Sequence, residues 1–169
     1  MEMKNLLENM FSTHINTPEH CEAVNEANNK VFDSIYNLLS KDHVLKIDPI
    51  LNDYFYEVEK RGFIDGFKEA TRLIVESFSK LAVSNWDLFM GSTETITRLF
   101  LDHTQDPDYS SSAAVLDHKA RKTIEAAVPQ RLFDEIDSII CDYAFEIEKR
   151  GWTDGYKMAM ALMAEALSR

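Results

Sequence analysis

Apolar residues recur at three- and four-residue spacing along most of the chain, which is the periodicity of helices that bury one face. No stretch shows the alternation of apolar and polar residues that is typical of strands. In the first half this spacing predicts a short helix over residues 3–11, a second helix from Thr17-Pro18 and a long third helix from Asp48-Pro49. A capping side chain followed by proline is a typical helix start. The predicted fold class is all-α.

The pattern of the first half returns in the second half. With a gapless offset of 89 positions Asp53 aligns with Asp142, and nearly half of residues 51–80 are identical to residues 140–169. An internal repeat of this kind is a strong signal of architecture. We therefore predict a tandem duplication of one helical unit.

Each predicted unit contains a short helix and a long antiparallel helix pair. The units are predicted at residues 1–80 and 92–169, with a linker or helix extension at residues 81–91, and the polar run Tyr109–Ser112 is predicted as a loop. A unit of this size buries only a thin core by itself. We therefore expect the units to pack through their third helices as a pseudo-twofold helical bundle.

A charged glycine motif occurs once in each predicted third helix. Its first copy reads Glu57-x-x-x-Arg61-Gly62-x-x-Asp65-Gly66. A glycine inside a helix costs about 1 kcal/mol relative to alanine, so two of them on the apolar face require a packing reason. We expect the third helices to cross at the glycines, with the charges beside them in i,i+4 pairs or facing a partner. The second copy consists of Glu146, Arg150, Gly151, Asp154 and Gly155.

The charge of the chain narrows the choice of partners. The net charge is −11, and such a chain is repelled by phosphate backbones and by anionic lipid. We therefore expect no direct binding of nucleic acid or membrane. The acidity indicates either a helical surface that binds a protein with a basic surface, or only solubility. Further self-association is left open.

The two cysteines, Cys21 and Cys141, lie at non-equivalent positions of the two units. A structural disulfide or a metal site would be duplicated with the rest of the unit, so we predict free thiols in a reducing compartment. The chain opens with no secretory leader, and no apolar run is long enough to cross a bilayer. A cytoplasmic location is expected.

Motifs of known chemistry are lacking in the sequence: there is no P-loop, dinucleotide motif, nucleophile elbow or zinc spacing. His14 and His103 share the pattern Phe-x-x-His-x-x-x-Pro, and each is predicted to hold the following turn by a hydrogen bond to the backbone near the next helix cap. We predict no catalytic residue, cofactor or metal. The alternative is a Mg²⁺-dependent nucleotide pyrophosphohydrolase. Its candidate carboxylates are Glu57, Asp65, Glu146 and Asp154.

The segment from Gly62 through Asp65, Gly66 and Lys68 to Glu76, with a weaker copy in the second unit, resembles the closing signature of a family of small helical proteins of unknown activity. Members occur in gut Gram-positive bacteria and in their phages and mobile elements, and they are about as long as one unit. The resemblance implies a duplicated unit and supplies no biochemical activity. Its context implies a non-catalytic protein that inhibits a host defence protein, as an anti-CRISPR does. A structural or assembly module is the remaining alternative.

Overall fold

The computed structural model describes residues 3–79 and 93–167, and these two ranges contain six helices and no strand. The predicted all-α class is therefore confirmed. The predicted linker at residues 81–91 lies outside the described residues. None of the helices in the described ranges is long and apolar enough to cross a membrane. The helices are α1 (Met3–His14), α2 (Pro18–Leu38), α3 (Lys41–Ser79), α4 (Thr93–Thr104), α5 (Pro107–Ala127) and α6 (Gln130–Leu167).

The predicted start of α2 at Thr17-Pro18 is confirmed, and α5 begins with an equivalent cap and proline. Thr17 has extended backbone angles, and its side chain accepts a hydrogen bond from the backbone nitrogen of His20. Asp106 caps α5 in the same way and accepts from the backbone nitrogen of Asp108 at 2.7 Å. In both helices proline occupies the first turn, where its missing N–H costs nothing because that group has no intrahelical partner.

The predicted start of α3 at Asp48 is wrong. The helix begins at Lys41, and Pro49 lies inside it. Ser40 provides the earlier start, since its carbonyl oxygen accepts hydrogen bonds from the backbone nitrogens of two following residues at 3.0 Å. The additional turns place Ile47 in the core, where it is fully buried. That burial offsets part of the cost of an interior proline, about 3 kcal/mol.

The prediction of a loop over Tyr109–Ser112 is also wrong, because these residues belong to α5. The cap at Asp106 starts the helix directly before them, and Ala113 is buried directly after them. The weak helix propensity of serine is overridden by these two neighbours.

Helices α3 and α6 lie side by side and run in the same direction. The ring of Phe55 packs on Tyr143 at 4.9 Å between ring centroids, and further along both helices Gly66 lies against the backbone of Trp152. Helix α2 runs back along α3. Its end lies beside the start of α3, where Tyr36 donates a hydrogen bond to Asp48, and its first turn lies further along α3, where His20 is beside Glu59. The long pair α3–α6 is thus the centre of the molecule.

Two buried clusters hold the helices together, and each contains residues of both halves of the chain. One lies along the N-terminal parts of α3 and α6 with α2 and α5 against it, and includes Ile35, Ile47, Leu51, Ile136 and Ile147. The other lies along their C-terminal parts with α4, and includes Ala70, Ile74, Phe100, Trp152 and Tyr156. Burying a large apolar side chain contributes about 1.5–3 kcal/mol. The two halves therefore depend on each other for their core.

Candidate functional site

The glycines of the first motif copy lie where α3 meets α6. A Cβ atom on Gly62 would come within 2.3 Å of the carbonyl oxygen of Glu148, and one on Gly66 within 1.9 Å of the carbonyl oxygen of Trp152. Real Cβ atoms do not approach backbone atoms this closely. At these positions the two helix backbones touch with no side chain between them, which only glycine allows.

The glycines of the second copy lie on α6 and make the equivalent contacts with the backbone of α3. A Cβ atom on Gly151 would lie 2.3 Å from the carbonyl oxygen of Glu59, and one on Gly155 would lie 1.9 Å from that of Phe63. The separations equal those of the first copy, and the contacted residues are the aligned ones. This double contact is the packing reason for four glycines inside long helices.

The charged residues of the motif pair across the two helices. Arg61 Nε donates to Glu148 Oε1 at 2.7 Å, and Arg150 Nε donates to Glu59 Oε1 at 2.9 Å. Both glutamates are buried, with 4% and 7% of their surface exposed respectively. These four side chains form two ion pairs on the flanks of the glycine contact.

The predicted i,i+4 pairs of Arg61 with Glu57 and Asp65 are therefore wrong. Glu57 is paired with Lys60 at 2.6 Å, and Asp65 with Lys68 at 3.2 Å. The close approach of the helix backbones brings a buried carboxylate of the other helix within reach of the guanidinium. A buried charge requires a partner far more than a solvated one does, so the cross-helix pair prevails.

The neighbours of Glu59 and Arg61 favour the charged form of each. Burial by itself would raise the pKa of Glu59, but His20 and Arg150 outweigh it and hold that pKa below its ordinary value. Burial likewise disfavours the charge of Arg61, yet Glu148 raises its pKa. Removing one partner of such a pair leaves an uncompensated buried charge, which makes the pairs sensitive markers of the α3–α6 register.

Each buried glutamate has a second neighbour, and here the two halves differ. His20 Nε2 lies 3.5 Å from Glu59 Oε1, whereas the aligned residue Tyr109 donates its hydroxyl to Glu148 Oε2 at 2.6 Å. Burial and the carboxylate of Glu148 together raise the pKa of Tyr109 well above its ordinary value. Tyr109 is therefore a neutral donor, where the first half has an imidazole.

The paired histidines contact aspartates of the opposite half. His14 Nε2 lies 3.1 Å from Asp154 Oδ2, and His103 Nε2 lies 3.7 Å from Asp65 Oδ2, which is an ion-pair separation and too long for a hydrogen bond. The predicted bond from the His14 ring to the backbone near the Thr17 cap is wrong. The carbonyl oxygen of His14 supplies that contact instead, accepting from the backbone nitrogen and the hydroxyl of Thr17. The imidazole ring of His14 instead contacts Asp154 on α6.

The carboxylates of the alternative magnesium site do not gather at one point. Among the described residues, one group of three histidine, cysteine or acidic side chains has metal-ligand spacing, and it consists of His14, His20 and Asp154. Asp65 is engaged by His103 and Lys68, while Glu146 is exposed on the surface of α6. The predicted free thiols are confirmed, since Cys21 and Cys141 are both unpaired and exposed.

Sequence reasoning missed the buried partners of the motif. Glu59 and Glu148 are aligned and identical in the repeat, but they were not distinguished from the acids around them. Another pair was also missed: Tyr54 donates to Asp117 at 2.9 Å, and the aligned Tyr143 donates to Asn28. A search for polar identities beside the apolar stripe would have found the glutamates; the α2 and α5 partners differ in type and carry no such signal.

Comparison of the chain with protein-family models, curated proteins and solved structures finds no match. The functional conclusions therefore depend on the geometry of the molecule alone.

Proposed function

We propose that the protein is a non-catalytic interaction module that binds a partner protein through its acidic surface. The observation that carries this proposal is the internal use of the repeated charges. Arg61, Arg150 and their glutamates connect α3 to α6, and the repeated aspartates face histidines of the opposite half. The most conspicuous candidates for chemistry thus support the fold, and the excess of negative charge remains for recognition.

The architecture that we propose is a fused pseudo-dimer of two homologous units about a twofold axis between α3 and α6. Support comes from contacts that recur at aligned positions of the two halves. The hydrogen bond from Tyr54 to Asp117 has its counterpart from Tyr143 to Asn28. Phe11 packs on Phe63 at 5.5 Å between centroids, and the aligned aromatic pair Phe100–Trp152 packs at 6.0 Å.

The partner that suits this surface is a protein with a basic patch. The net charge is −11, and exposed acids occur at aligned positions on the two central helices, Asp53 on α3 and Asp142 on α6. An acidic helical surface can occupy a groove that otherwise binds nucleic acid. A phage or mobile-element inhibitor of a host defence protein acts in this way, and we propose that role in the cytoplasm.

Two other functions make different predictions. A Mg²⁺-dependent nucleotide hydrolase requires several carboxylate oxygens around one ion. In the part of the chain that the structure describes, the four candidate carboxylates do not form such a group. The hydrolase would release phosphate or pyrophosphate from nucleotides and lose this activity in Asp65→Asn. A structural module would have no stoichiometric partner beyond itself.

The test is capture of partners from a host lysate with tagged protein, followed by elution with a salt gradient or with heparin. We expect one stoichiometric protein with a basic surface that elutes at moderate salt and is displaced by heparin, because the polyanion competes for the same groove. Asp53→Lys and Asp142→Lys, made singly, should weaken capture if their helix faces the partner. Asp53→Asn, which removes charge without reversing it, is the milder matched variant.

The following results would contradict this proposal. If no stoichiometric partner is recovered, or if the recovered partner is unaffected by heparin and by high salt, the acidic surface is not the binding surface. Nucleotide hydrolysis by the wild-type protein that disappears in Asp65→Asn would replace the proposal with the enzymatic alternative.

A further inference from the structure

We propose that His14, His20 and Asp154 form a binding site for one divalent transition-metal ion. Each residue offers one ligand atom, and the three atoms lie within 4.8 Å of one another. His14 Nε2 and Asp154 Oδ2 are 3.1 Å apart, and the two imidazole rings meet edge-on with 4.9 Å between their centroids. The three side chains thus converge on one point from three helices.

The donor set selects the kind of ion. Two imidazoles and one carboxylate suit Zn²⁺, Fe²⁺ or Co²⁺, whereas Mg²⁺ and Ca²⁺ prefer oxygen ligands only. Metal–ligand bonds of about 2.0–2.2 Å place neighbouring ligand atoms about 3–3.5 Å apart, and the separation between His14 and Asp154 lies in this range. Three protein ligands leave at least one coordination position for water.

The local fold holds the three ligands from different directions. His14 ends α1 and His20 lies in the first turn of α2, and the turn between them is fixed by Thr17, whose hydroxyl donates to the carbonyl oxygen of His14 at 2.8 Å. The His14 ring also stacks on Phe63 at 5.5 Å. Asp154 belongs to α6, so a bound ion connects the α1–α2 turn to the opposite half of the chain.

The surroundings orient one ligand and give access to the site. Glu59 Oε1 lies 3.5 Å from His20 Nε2, so it can hold the His20 imidazole in place, as carboxylates beside metal-binding histidines do. The position of Glu59 is fixed by Arg150 at 2.9 Å. Glu59 and His20 also line a cleft of about 220 Å³ between α2, α3 and α6, and the side chains of His14 and Asp154 are 20% and 26% exposed, so two of the three ligands are accessible from solvent.

The second half of the chain provides an internal comparison. His103 and Asp65 repeat His14 and Asp154, but Tyr109 replaces the second imidazole. The hydroxyl of Tyr109 is engaged by Glu148 at 2.6 Å, so the second cluster lacks its third ligand. The geometry therefore points to one ion per chain, bound in the first cluster only.

The experiment is titration of the full-length, metal-free protein with Zn²⁺ by calorimetry, and with Co²⁺ by visible absorption, which reports coordination. We expect one equivalent in the wild type. His20→Tyr removes a ligand and reproduces the side chain that the second half already accommodates, so the protein should remain folded. Its affinity should fall by more than the roughly 10–100-fold that loss of an outer-sphere partner costs. Tyr109→His should add a second equivalent if His103 and Asp65, which lie 3.7 Å apart, close around the ion.

Matched variants separate this site from incidental binding. Asp154→Asn keeps the shape of the side chain and should also lose the ion, whereas His118→Gln, at an exposed histidine of α5, and Cys21→Ser, at the exposed thiol beside His20, should bind as the wild type does. The proposal is overturned if the wild type has no saturable equivalent, if His20→Tyr and Asp154→Asn both bind with unchanged affinity, or if Cys21→Ser alone abolishes binding.

Discussion

Arg61 donates a hydrogen bond from its Nε to Oε1 of Glu148 at 2.7 Å, across the line where α3 touches α6. The side chains of Arg61 and Glu148 are 15% and 5% exposed, so both charged groups are largely shielded from solvent. A buried pair of this kind adds little net stability against an apolar pair of the same shape, but it excludes alternative registers because a displaced charge has no partner. The same relationship between Arg150 and Glu59 fixes the register a second time.

The first prediction concerns the buried pair. Arg61→Met should lower the free energy of unfolding by about 3–5 kcal/mol, because it leaves the buried carboxylate of Glu148 uncompensated. The double variant Arg61→Met/Glu148→Met should recover much of this loss. Urea unfolding of the wild type, both single variants and the double variant gives the coupling energy directly.

The exposed pair Lys30–Glu26 is the control. Its side chains are 74% and 77% exposed and its atoms are 2.8 Å apart, so Lys30→Met should leave the stability close to that of the wild type. Equal effects of Arg61→Met and Lys30→Met would mean that the cross-helix pair is solvated and does not define the register.

The second prediction concerns the glycines. An alanine normally stabilises a helix by about 1 kcal/mol relative to glycine, but here the added Cβ meets backbone atoms that cannot move alone. Gly66→Ala and Gly155→Ala, at 1.9 Å, should therefore destabilise more than Gly62→Ala and Gly151→Ala, at 2.3 Å. Each loss should reach at least the roughly 1–3 kcal/mol of an overpacked core. Thermal unfolding monitored by circular dichroism provides the ranking. Unchanged or increased stability in Gly66→Ala would show that α3 and α6 do not touch there.

The helical elements were predictable from the sequence to different degrees, for physical reasons. The starts of α2 and α5 were predictable because the cap at Thr17 or Asp106 and the following proline act within a few residues. The start of α3 was not, since Asp48-Pro49 has the same local signature while Ser40 and the burial of Ile47 decide the outcome. A local signal cannot show which of two possible helix starts is stabilised by burial of side chains in the tertiary core.

The contacts of the candidate site divide in the same way. The positions of Gly62 and Gly66 on an apolar face indicated close packing, because the cost of glycine in a helix can be read locally. The partners of Arg61 and His14 could not be read locally, since Glu148 and Asp154 are far away in the chain. The i,i+4 spacing offered nearer partners, and only the approach of the helix backbones makes the distant ones preferable.

The third prediction is a pH dependence that arises from His103 and Asp65. Asp65 raises the pKa of His103 against the effect of burial, and although burial opposes it, His103 and Lys68 lower the pKa of Asp65. The stabilisation from the imidazole is complete below its unfolded pKa and is lost as the pH rises through the higher folded pKa. The stabilisation from the carboxylate is complete above its unfolded pKa and is lost as the pH falls through the lower folded pKa. Both contributions are present together between about pH 4 and 6.5.

The check is urea unfolding of the wild type and His103→Asn at pH 5.5 and at pH 8.5. The variant should be less stable than the wild type at pH 5.5, and the difference should be smaller at pH 8.5, because the ionic contribution decreases as the pH rises through the raised pKa of His103. His118→Asn, at an exposed histidine, is the control and should match the wild type at both values. A difference that is the same at both values would mean that the contact is steric and not ionic.

The fourth prediction tests whether the two halves of the chain are equivalent. Every partner across the α3–α6 contact has an aligned counterpart within the first half, so two copies of residues 1–80 can reproduce the contact. In such a pair Arg61 would meet Glu59 of the second copy, and Gly62 and Gly66 would meet the same backbone positions of its α3. Since the clusters of the full chain draw on both halves, one copy alone leaves its apolar face without cover. We therefore expect the fragment to be a folded homodimer in sedimentation equilibrium and to unfold as it dissociates on dilution.

The same fragment with Gly66→Leu, whose side chain cannot pass the opposing backbone, should not dimerise. A fragment that is folded and monomeric at micromolar concentration would show that the halves are not held together by this contact.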